Sequence, residues 1–330
     1  MTARRARGPA LVALLVAALA VLAACGTGTV SAASGERQPE GDAVGDAPAV
    51  EPELPVTVES ADGRTVTVED ISRIVPLKGH ISEVIFALGL GDRVVARDIS
   101  ATHAEVQDLP LVTRAHDVSA EAVLAQRPTL VLVDPDNGPS EAIEQIRSTG
   151  VPVVVVDYAT SVDEVDDHIR TIAEILGVSE AGERLVADTE ARLDAVRREI
   201  PEDAGDLVVA FLYLRGSAGV YLIGGPDSGP DSMIEAAGAR NAGTELGLEN
   251  PFTSLTSEAL VKAQPDVILL TTTGLESVGG VDGLLEIPGI AQTPAGKARR
   301  VITVEDGLLF GFGSRTPDAL ADLIAELYEV

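Results

Sequence analysis

The feature that most constrains the fold is an internal repeat, in which one pattern occurs twice, 137 positions apart. Residues 119–132, SAEAVLAQRPTLVL, match residues 256–269, TSEALVKAQPDVIL. In both copies a short helical pattern ends before a proline, and an apolar strand pattern follows. A chain built in this way is expected to contain two related halves, each with an equivalent helix.

Each copy of the repeat carries one glutamate in the first turn of its helix, Glu121 in the first copy and Glu258 in the second. The helix dipole favours a carboxylate near a helix N-terminus. Stabilisation of the helix is therefore one interpretation of this pair.

Strand and helix patterns alternate on both sides of one long helical segment. Residues 179–200 contain no proline, and their 22 residues would span roughly 33 Å as a helix. The patterns predict one lobe over 56–178 and another over 201–330. Because alternating strands and helices imply parallel sheets, the predicted fold class is α/β. We expect two Rossmann-like lobes joined by the long helix, with a ligand cleft between them.

The first 25 residues have the pattern of an export signal. Arginines precede an apolar stretch, 11–23, that is too short for an ordinary membrane span. The ending LAAC at 22–25 resembles the lipobox of bacterial lipoproteins, in which the cysteine is lipidated. Cys25 is the only cysteine, so no intrachain disulfide can form; an ordinary signal peptide with an incidental cysteine is the alternative. The composition of 26–55 predicts a flexible tether.

The charge and the motifs of the chain argue against several classes of function. A formal net charge of −28 argues against nucleic-acid partners, which require a basic surface, and against electrostatic adhesion to anionic lipid. No P-loop, dinucleotide-binding glycine motif or nucleophile elbow is recognisable. The sequence therefore favours a binding protein over an enzyme.

One strand pattern of the second half ends in two residues of complementary chemistry. Tyr213 and Arg215 follow the apolar run Leu207–Leu212. Residues two apart in an extended chain point to the same face, so the phenol and the guanidinium are expected side by side. A nearby cation favours the ionised form of a phenol, and tyrosinate is a hard anionic ligand suited to ferric iron. An interfacial tyrosine beside a solvated arginine is the plainer interpretation.

These features together resemble the substrate-binding proteins of ABC importers that handle cobalamin, siderophores and haem. The resemblance covers residues 71–330 and rests on RIV at 73–75, EVIFALGLGD at 83–92 and the two repeat copies. In that family one glutamate on each lobe docks into an arginine pocket of the permease, which implies this role for Glu121 and Glu258. The resemblance also implies an extracytoplasmic protein, anchored to the membrane by the lipid on Cys25.

Within that family the chain is most similar to the haem-binding lipoproteins of bacterial haem importers. Three motifs carry this similarity: FLYLRG at 211–216, YLIGGP at 221–226 and GFGSRTP at 311–317. Such proteins hold haem between a histidine of the first lobe and a tyrosine of the second, with an arginine beside the tyrosine. The resemblance implies Tyr213 as one axial ligand, supported by Arg215, and haem as the transported ligand.

The partners implied are haem, an ABC permease and upstream haem-carrier proteins. A ferric siderophore or cobalamin is the alternative ligand class, because related proteins of the same fold bind these molecules.

Four histidines compete for the second axial position. His116 lies in the loop before the first repeat helix, where loops at strand ends open into the cleft, and its spacing to Tyr213 fits the family. His80, on the first strand-to-helix turn, is the alternative. His103 in a polar loop and His168 on a charged helix face are predicted to be solvated.

Other side chains are candidates for contacts with the haem propionates or the pocket wall. They are Lys78, His80, Arg114, Tyr221 and Arg315. For each of the long cations, a solvated side chain without a ligand is the alternative.

Overall fold

Strands and helices alternate through the part of the chain that the computed structural model describes, residues 50–114, 117–202 and 204–328. The strands are β1 Val56–Glu59, β2 Thr65–Val68, β3 Ile74–Pro76, β4 Arg97–Asp98, β5 Leu111–Arg114, β6 Asp117–Val118, β7 Leu130–Val133, β8 Val153–Val155, β9 Val208–Arg215, β10 Val220–Gly224, β11 Arg240–Asn241, β12 Phe252–Ser254, β13 Val267–Thr271 and β14 Val301–Val304.

The helices follow the same order. They are α1 Gly79–Ala87, α2 Ala120–Ala125, α3 Ser140–Ser148, α4 Val165–Ile175, α5 Ser179–Arg197, α6 Pro230–Ala236, α7 Ala242–Glu245, α8 Ser257–Ala263, α9 Thr272–Ser277, α10 Gly280–Glu286, α11 Pro294–Ala298, α12 Asp306–Phe310 and α13 Thr316–Tyr328.

The predicted α/β class is confirmed, and both halves contain parallel strands. In the first half β3, β7 and β8 form a parallel sheet in the order β3-β7-β8, beside a second small sheet, β4-β5-β6. In the second half the order is β12-β10-β9-β13-β14, with β9, β13 and β14 parallel. The helix predicted over 179–200 is α5, which ends three residues earlier.

The sequence repeat is also a repeat of local structure. Ser119 and Thr256 cap α2 and α8, each accepting a hydrogen bond from the backbone N–H three residues later, at 3.2 and 3.1 Å. Arg127 and Gln264, the residues before the two prolines, share a left-handed backbone with φ of 50° and 46°. Such a match in an uncommon conformation indicates that the two helix–strand units are equivalent.

One apolar core runs through both halves. It combines side chains of the first sheet and α1 with those of β9, β13 and the last helix, and α4 and α5 lie among them. Phe211 of β9 is fully buried in this cluster. Within the described residues, no helix has both the length and the apolar character needed to cross a membrane.

The start of the first half is held more firmly than the predicted tether implies. The Glu53 N–H donates to the Gly177 carbonyl at 2.8 Å, and Leu54 packs against the core. The described residues 50–55 therefore belong structurally to the folded part. Residues 1–49, which include Cys25 and the predicted signal peptide, lie outside the described residues.

Candidate ligand-binding site

Strand β9 places Tyr213 and Arg215 on one face of the second sheet, as their spacing predicts. The Arg215 guanidinium carbon lies 4.6 Å from the centroid of the Tyr213 ring. This separation is within the range of a cation–π contact. The strand includes both residues and ends at Arg215, and β10 pairs with it as far as that residue.

Asp306 fixes the position of the Arg215 side chain. Arg215 Nη2 donates to Asp306 Oδ1 at 2.9 Å, and its Nη1 donates to the Leu214 carbonyl at 3.0 Å. Asp306 Oδ2 in turn accepts from the Thr273 N–H at 3.2 Å. Asp306 was not among the predicted site residues, although its place just after β14, the strand next to β13, was an available signal.

Two phenylalanines hold the Tyr213 ring from its sides. The ring centroids of Phe252 and Phe310 lie 5.8 and 6.1 Å from that of Tyr213, with interplanar angles of 63° and 76°. Such edge-to-face contacts are a favoured aromatic geometry. No described residue is hydrogen-bonded to the Tyr213 hydroxyl, and the side chain is partly exposed. The phenol oxygen is therefore available to a ligand.

Tyr221 projects from the opposite face of the sheet. Across the antiparallel pair β9–β10, Leu222 lies opposite Tyr213 and Tyr221 lies opposite Leu214. Because directly opposed residues share a face, Tyr221 and Tyr213 are on different faces. The structure thus does not bring Tyr221, a predicted pocket contact, to the Tyr213 side.

In the first half a hydrogen-bonded histidine pair follows the first sheet. His80 Nδ1 lies 2.9 Å from His168 Nε2, and His168 Nδ1 lies 3.0 Å from the Asp157 carbonyl oxygen. A carbonyl only accepts, so His168 carries its proton on Nδ1 and accepts from His80 through Nε2. His80 Nε2 faces Asp134 Oδ2 at 3.7 Å. Both nitrogens of His80 are thus directed at protein groups.

The same carboxylate pairs with Lys78, whose Nζ lies 3.2 Å from Asp134 Oδ2. Burial raises the pKa of Asp134, but the His80 hydrogen bond and the Lys78 charge outweigh it, so the pKa lies below its usual value. Burial, followed by the His80 charge, lowers the pKa of His168 to about 3. Lys78, predicted as a propionate contact, is therefore held by Asp134.

The expectation that His103 and His168 are solvated is wrong, since both side chains are buried. His103 lies 3.0 Å from Glu105 and 3.1 Å from the Ser82 hydroxyl, and burial lowers its pKa. His168 lies on the face of α4 that carries Val165 and Ile172 into the core. Its spacing of three and four residues from these apolar positions was the signal that could have identified it.

Arg315, predicted as a propionate or pocket contact, is already paired with a carboxylate. Its side chain is buried and donates to Glu83 Oε1 at 2.6 Å. Arg114, at the end of β5, is exposed. His116, predicted as the first-lobe iron ligand, lies outside the described residues.

Glu121 and Glu258 occupy equivalent and exposed positions. Each lies in the first turn of its helix, α2 or α8, two residues after the capping side chain. Neither is paired with a cation among the described residues, so both carboxylates are accessible to a partner.

The described residues contain no group of three or more His, Cys, Asp or Glu side chains placed to hold a bare metal ion. Iron could therefore be bound in this part of the chain only as part of a larger ligand that supplies most of its coordination, with a single side chain such as the Tyr213 phenol completing it.

Comparison with known proteins agrees with this architecture. Residues 74–307 match the model of the periplasmic binding protein family. The uncharacterized ABC transporter substrate-binding lipoprotein YvrC of Bacillus subtilis is 28% identical, over 83% of this chain and 86% of its own.

Two solved structures are similar at higher identity. The haem-binding protein HmuT is 41% identical with a TM-score of 0.80, covering 88% of this chain and 96% of its own. The periplasmic haem-binding protein RhuT from Roseiflexus sp. RS-1, in its apo form, is 44% identical with a TM-score of 0.75, covering 79% and 99%. HmuT has also been crystallised with single alanine substitutions of a histidine, a tyrosine and an arginine. The matched region spans most of the folded chain and confirms the predicted resemblance: the protein belongs to the periplasmic binding protein family.

Proposed function

We propose that this protein captures ferric haem outside the cytoplasm and delivers it to an ABC import permease. The observation that carries the proposal is that the Tyr213 hydroxyl has no hydrogen-bond partner among the described residues, while Arg215 lies over its ring. A tyrosinate beside a cation is a suitable ligand for ferric haem iron. The names of HmuT and RhuT, both haem-binding proteins, support the same ligand.

His116 is the proposed second axial ligand. The tyrosine and arginine replaced in HmuT are two positions apart, as are Tyr213 and Arg215. The histidine replaced in HmuT precedes its tyrosine by 99 positions, and His116 precedes Tyr213 by 97. His80 is less suited to this role because His168 and Asp134 already face its two nitrogens.

Glu121 and Glu258 are the proposed contacts to the permease. Their support is the equivalence of α2 and α8, together with exposure of both carboxylates. One acidic group on each half suits a partner with two equivalent basic pockets. In this scheme the protein acts as a carrier and not as an enzyme.

The amino-terminal part is proposed to anchor the protein. Residues 1–25 would contain the signal peptide and the lipidated Cys25. The residues after Cys25 would link the lipid to the two lobes, 56–178 and 201–330, which are joined by the 179–200 helix. The lipoprotein YvrC, similar over 83% of this chain, supports this arrangement. Upstream haem-carrier proteins are proposed donors.

Hemin titration of the purified protein tests the proposed ligand. We expect a strong Soret band that saturates near one haem per chain. Tyr213→Phe removes only the phenol oxygen and should weaken binding and alter the band. Tyr221→Phe is the matched control, because Tyr221 lies on the other face of the same hairpin. If the parent protein shows no Soret change and binds cobalamin or a ferric siderophore instead, that molecule is the ligand and the haem proposal is wrong.

A further inference from the structure

The segment 305–315, which links β14 to α13 through α12, is attached to the first half at both ends. At its start, Glu305 Oε2 accepts a hydrogen bond from the Thr102 hydroxyl at 3.0 Å. At its end, Arg315 Nη2 donates to Glu83 Oε1 of α1 at 2.6 Å and to the Thr102 hydroxyl oxygen at 3.4 Å. The partners at these two ends are 203 and 232 positions apart in the chain.

Glycines within the segment permit this close approach. A Cβ on Gly307 would lie 2.8 Å from the Ser100 carbonyl oxygen, and one on Gly313 would lie 3.0 Å from Glu83 Oε2. A side chain at position 307 would push the segment away from the Ser100 loop, and one at position 313 would require the buried Glu83 carboxylate to shift. Gly313 of the GFGSRTP motif therefore has a structural reason that ligand binding alone does not supply.

The middle of the same segment holds the candidate ligand site. Asp306 forms the 2.9 Å ion pair that fixes Arg215. Phe310 packs edge-on against Tyr213, with ring centroids 6.1 Å apart, and also against Phe211. Any movement of the 305–315 segment would therefore move Asp306, which fixes Arg215, and Phe310, one of the two phenylalanines beside Tyr213.

The Glu83–Arg315 pair is suited to hold the segment in one place. The two side chains are only 1% and 7% exposed. Moving the segment would leave the buried Arg315 guanidinium without its partner, so the alternative positions of the segment are costly. Besides Arg315, the charged groups that act on Glu83 are Glu305 and Asp318, both on the second half.

We propose that Glu83 is a positioning residue for the haem site: through Arg315 it fixes the 305–315 segment, whose Asp306 and Phe310 hold Arg215 and Tyr213. The first half thus sets the geometry of an iron ligand on the second half without touching the ligand. The effect on haem binding rests on the proposed function, since Tyr213 and Arg215 are the groups of the proposed haem site.

The test measures the rate of hemin loss to excess apomyoglobin and the visible spectrum of the bound haem. The first variant is Thr102→Val, which keeps the side-chain shape and removes the hydroxyl that contacts Glu305 and Arg315. The second is the double variant Glu83→Gln, Arg315→Gln, which removes both charges and so leaves no unpaired buried ion. Glu183→Gln is the control, because Glu183 pairs with Arg170 at 3.1 Å on the exposed surface.

We expect the double variant to lose hemin roughly tenfold faster, the lower end of what loss of a ligand-orienting group costs in metal affinity. Thr102→Val should show a smaller increase in the same direction, with a shifted visible spectrum, and Glu183→Gln should match the parent. Rates and spectra equal to the parent in both folded variants would overturn the positioning role.

A ligand-free readout separates this proposal from the haem assignment. With 3-fluorotyrosine incorporated at the four tyrosines, the Tyr213 resonance is identified as the one missing in Tyr213→Phe. It should shift in both variants and stay in place in Glu183→Gln. A shifted resonance in a protein that binds no hemin would retain the positioning role and reject the haem proposal. An unshifted resonance would reject the positioning role itself.

Discussion

The guanidinium of Arg215 lies over the ring of Tyr213 because Asp306 holds it there. The contact of 4.6 Å and the ion pair of 2.9 Å share the same arginine, so the carboxylate acts on the phenol only through Arg215. Without this ion pair, the flexible arginine side chain would have many other positions available.

Replacement of Asp306 should therefore weaken the site without removing a ligand atom. We expect Asp306→Asn to reduce hemin affinity roughly tenfold, the scale of losing a group that orients a metal ligand. Hemin titration followed at the Soret band measures this. Asp282→Asn is the matched control, because Asp282 pairs with Arg299 at 2.7 Å on the surface of the same half. Equal losses in both variants would argue against a specific role for Asp306.

The two candidate histidine ligands should behave differently. We expect His116→Ala to change the visible and paramagnetic resonance spectra of bound ferric haem, since it removes the proposed axial imidazole. His80→Gln should leave these spectra unchanged and instead lower the free energy of unfolding, because His80 bonds to His168. Loss of the His80–His168 hydrogen bond should lower the free energy of unfolding by about 1–3 kcal/mol. A changed iron spectrum in His80→Gln alone would assign the ligand to His80.

Docking should depend on Glu121 and Glu258 but ligand affinity should not. Each alanine substitution should weaken docking about thirtyfold or more, since loss of one partner of a buried interface ion pair costs roughly 2–5 kcal/mol. The ATP hydrolysis that the protein stimulates in its transporter should fall accordingly. Glu141→Ala is the control, an exposed acidic residue in the first turn of α3 outside the repeat. If the hemin affinity of either variant falls instead, that glutamate belongs to the ligand site.

The low pKa of His168 should make stability fall in acid. Its pKa is about 3 in the folded protein against an ordinary 6.5, so the unfolded chain binds a proton between these values and the folded protein does not. The free energy of unfolding should then decrease as pH falls from 6.5, by up to about 1.4 kcal/mol per pH unit. Urea unfolding of His168→Gln should lack this component, while Asp167→Asn should retain it; parallel curves for the parent and His168→Gln would contradict the prediction.

Glu83 should contribute with the opposite sign. Burial raises its pKa to about 7, although the Arg315 charge opposes the rise. Between the ordinary 4.5 and 7 the folded protein therefore holds a proton that the unfolded chain has lost. This component should increase the free energy of unfolding as pH falls through that window. The double variant Glu83→Gln, Arg315→Gln should lack it when its urea unfolding is compared with the parent at pH 7 and pH 5; an unchanged pH dependence would show that Glu83 titrates normally.

Local features of the site and the fold could be predicted from the sequence because they depend on residues that are close together in the chain. The two-residue period of a strand places Tyr213 and Arg215 on one face whatever surrounds them. Capping side chains and prolines set the ends of α2 and α8 in the same way, which made the equivalence of Glu121 and Glu258 visible as a repeat.

What only the tertiary structure decided is which side chains from distant segments meet. His80 bonds to His168 across 88 positions and Arg315 pairs with Glu83 across 232, and both pairings changed the roles expected of these residues. The periodicity of an element says which of its faces is buried but not what that face meets. The sequence by itself thus determined the repeat, the α/β halves and the Tyr213–Arg215 pair. The packing of the halves decided where the 305–315 segment lies, because its two ends bond to Thr102 and Glu83 of the first half.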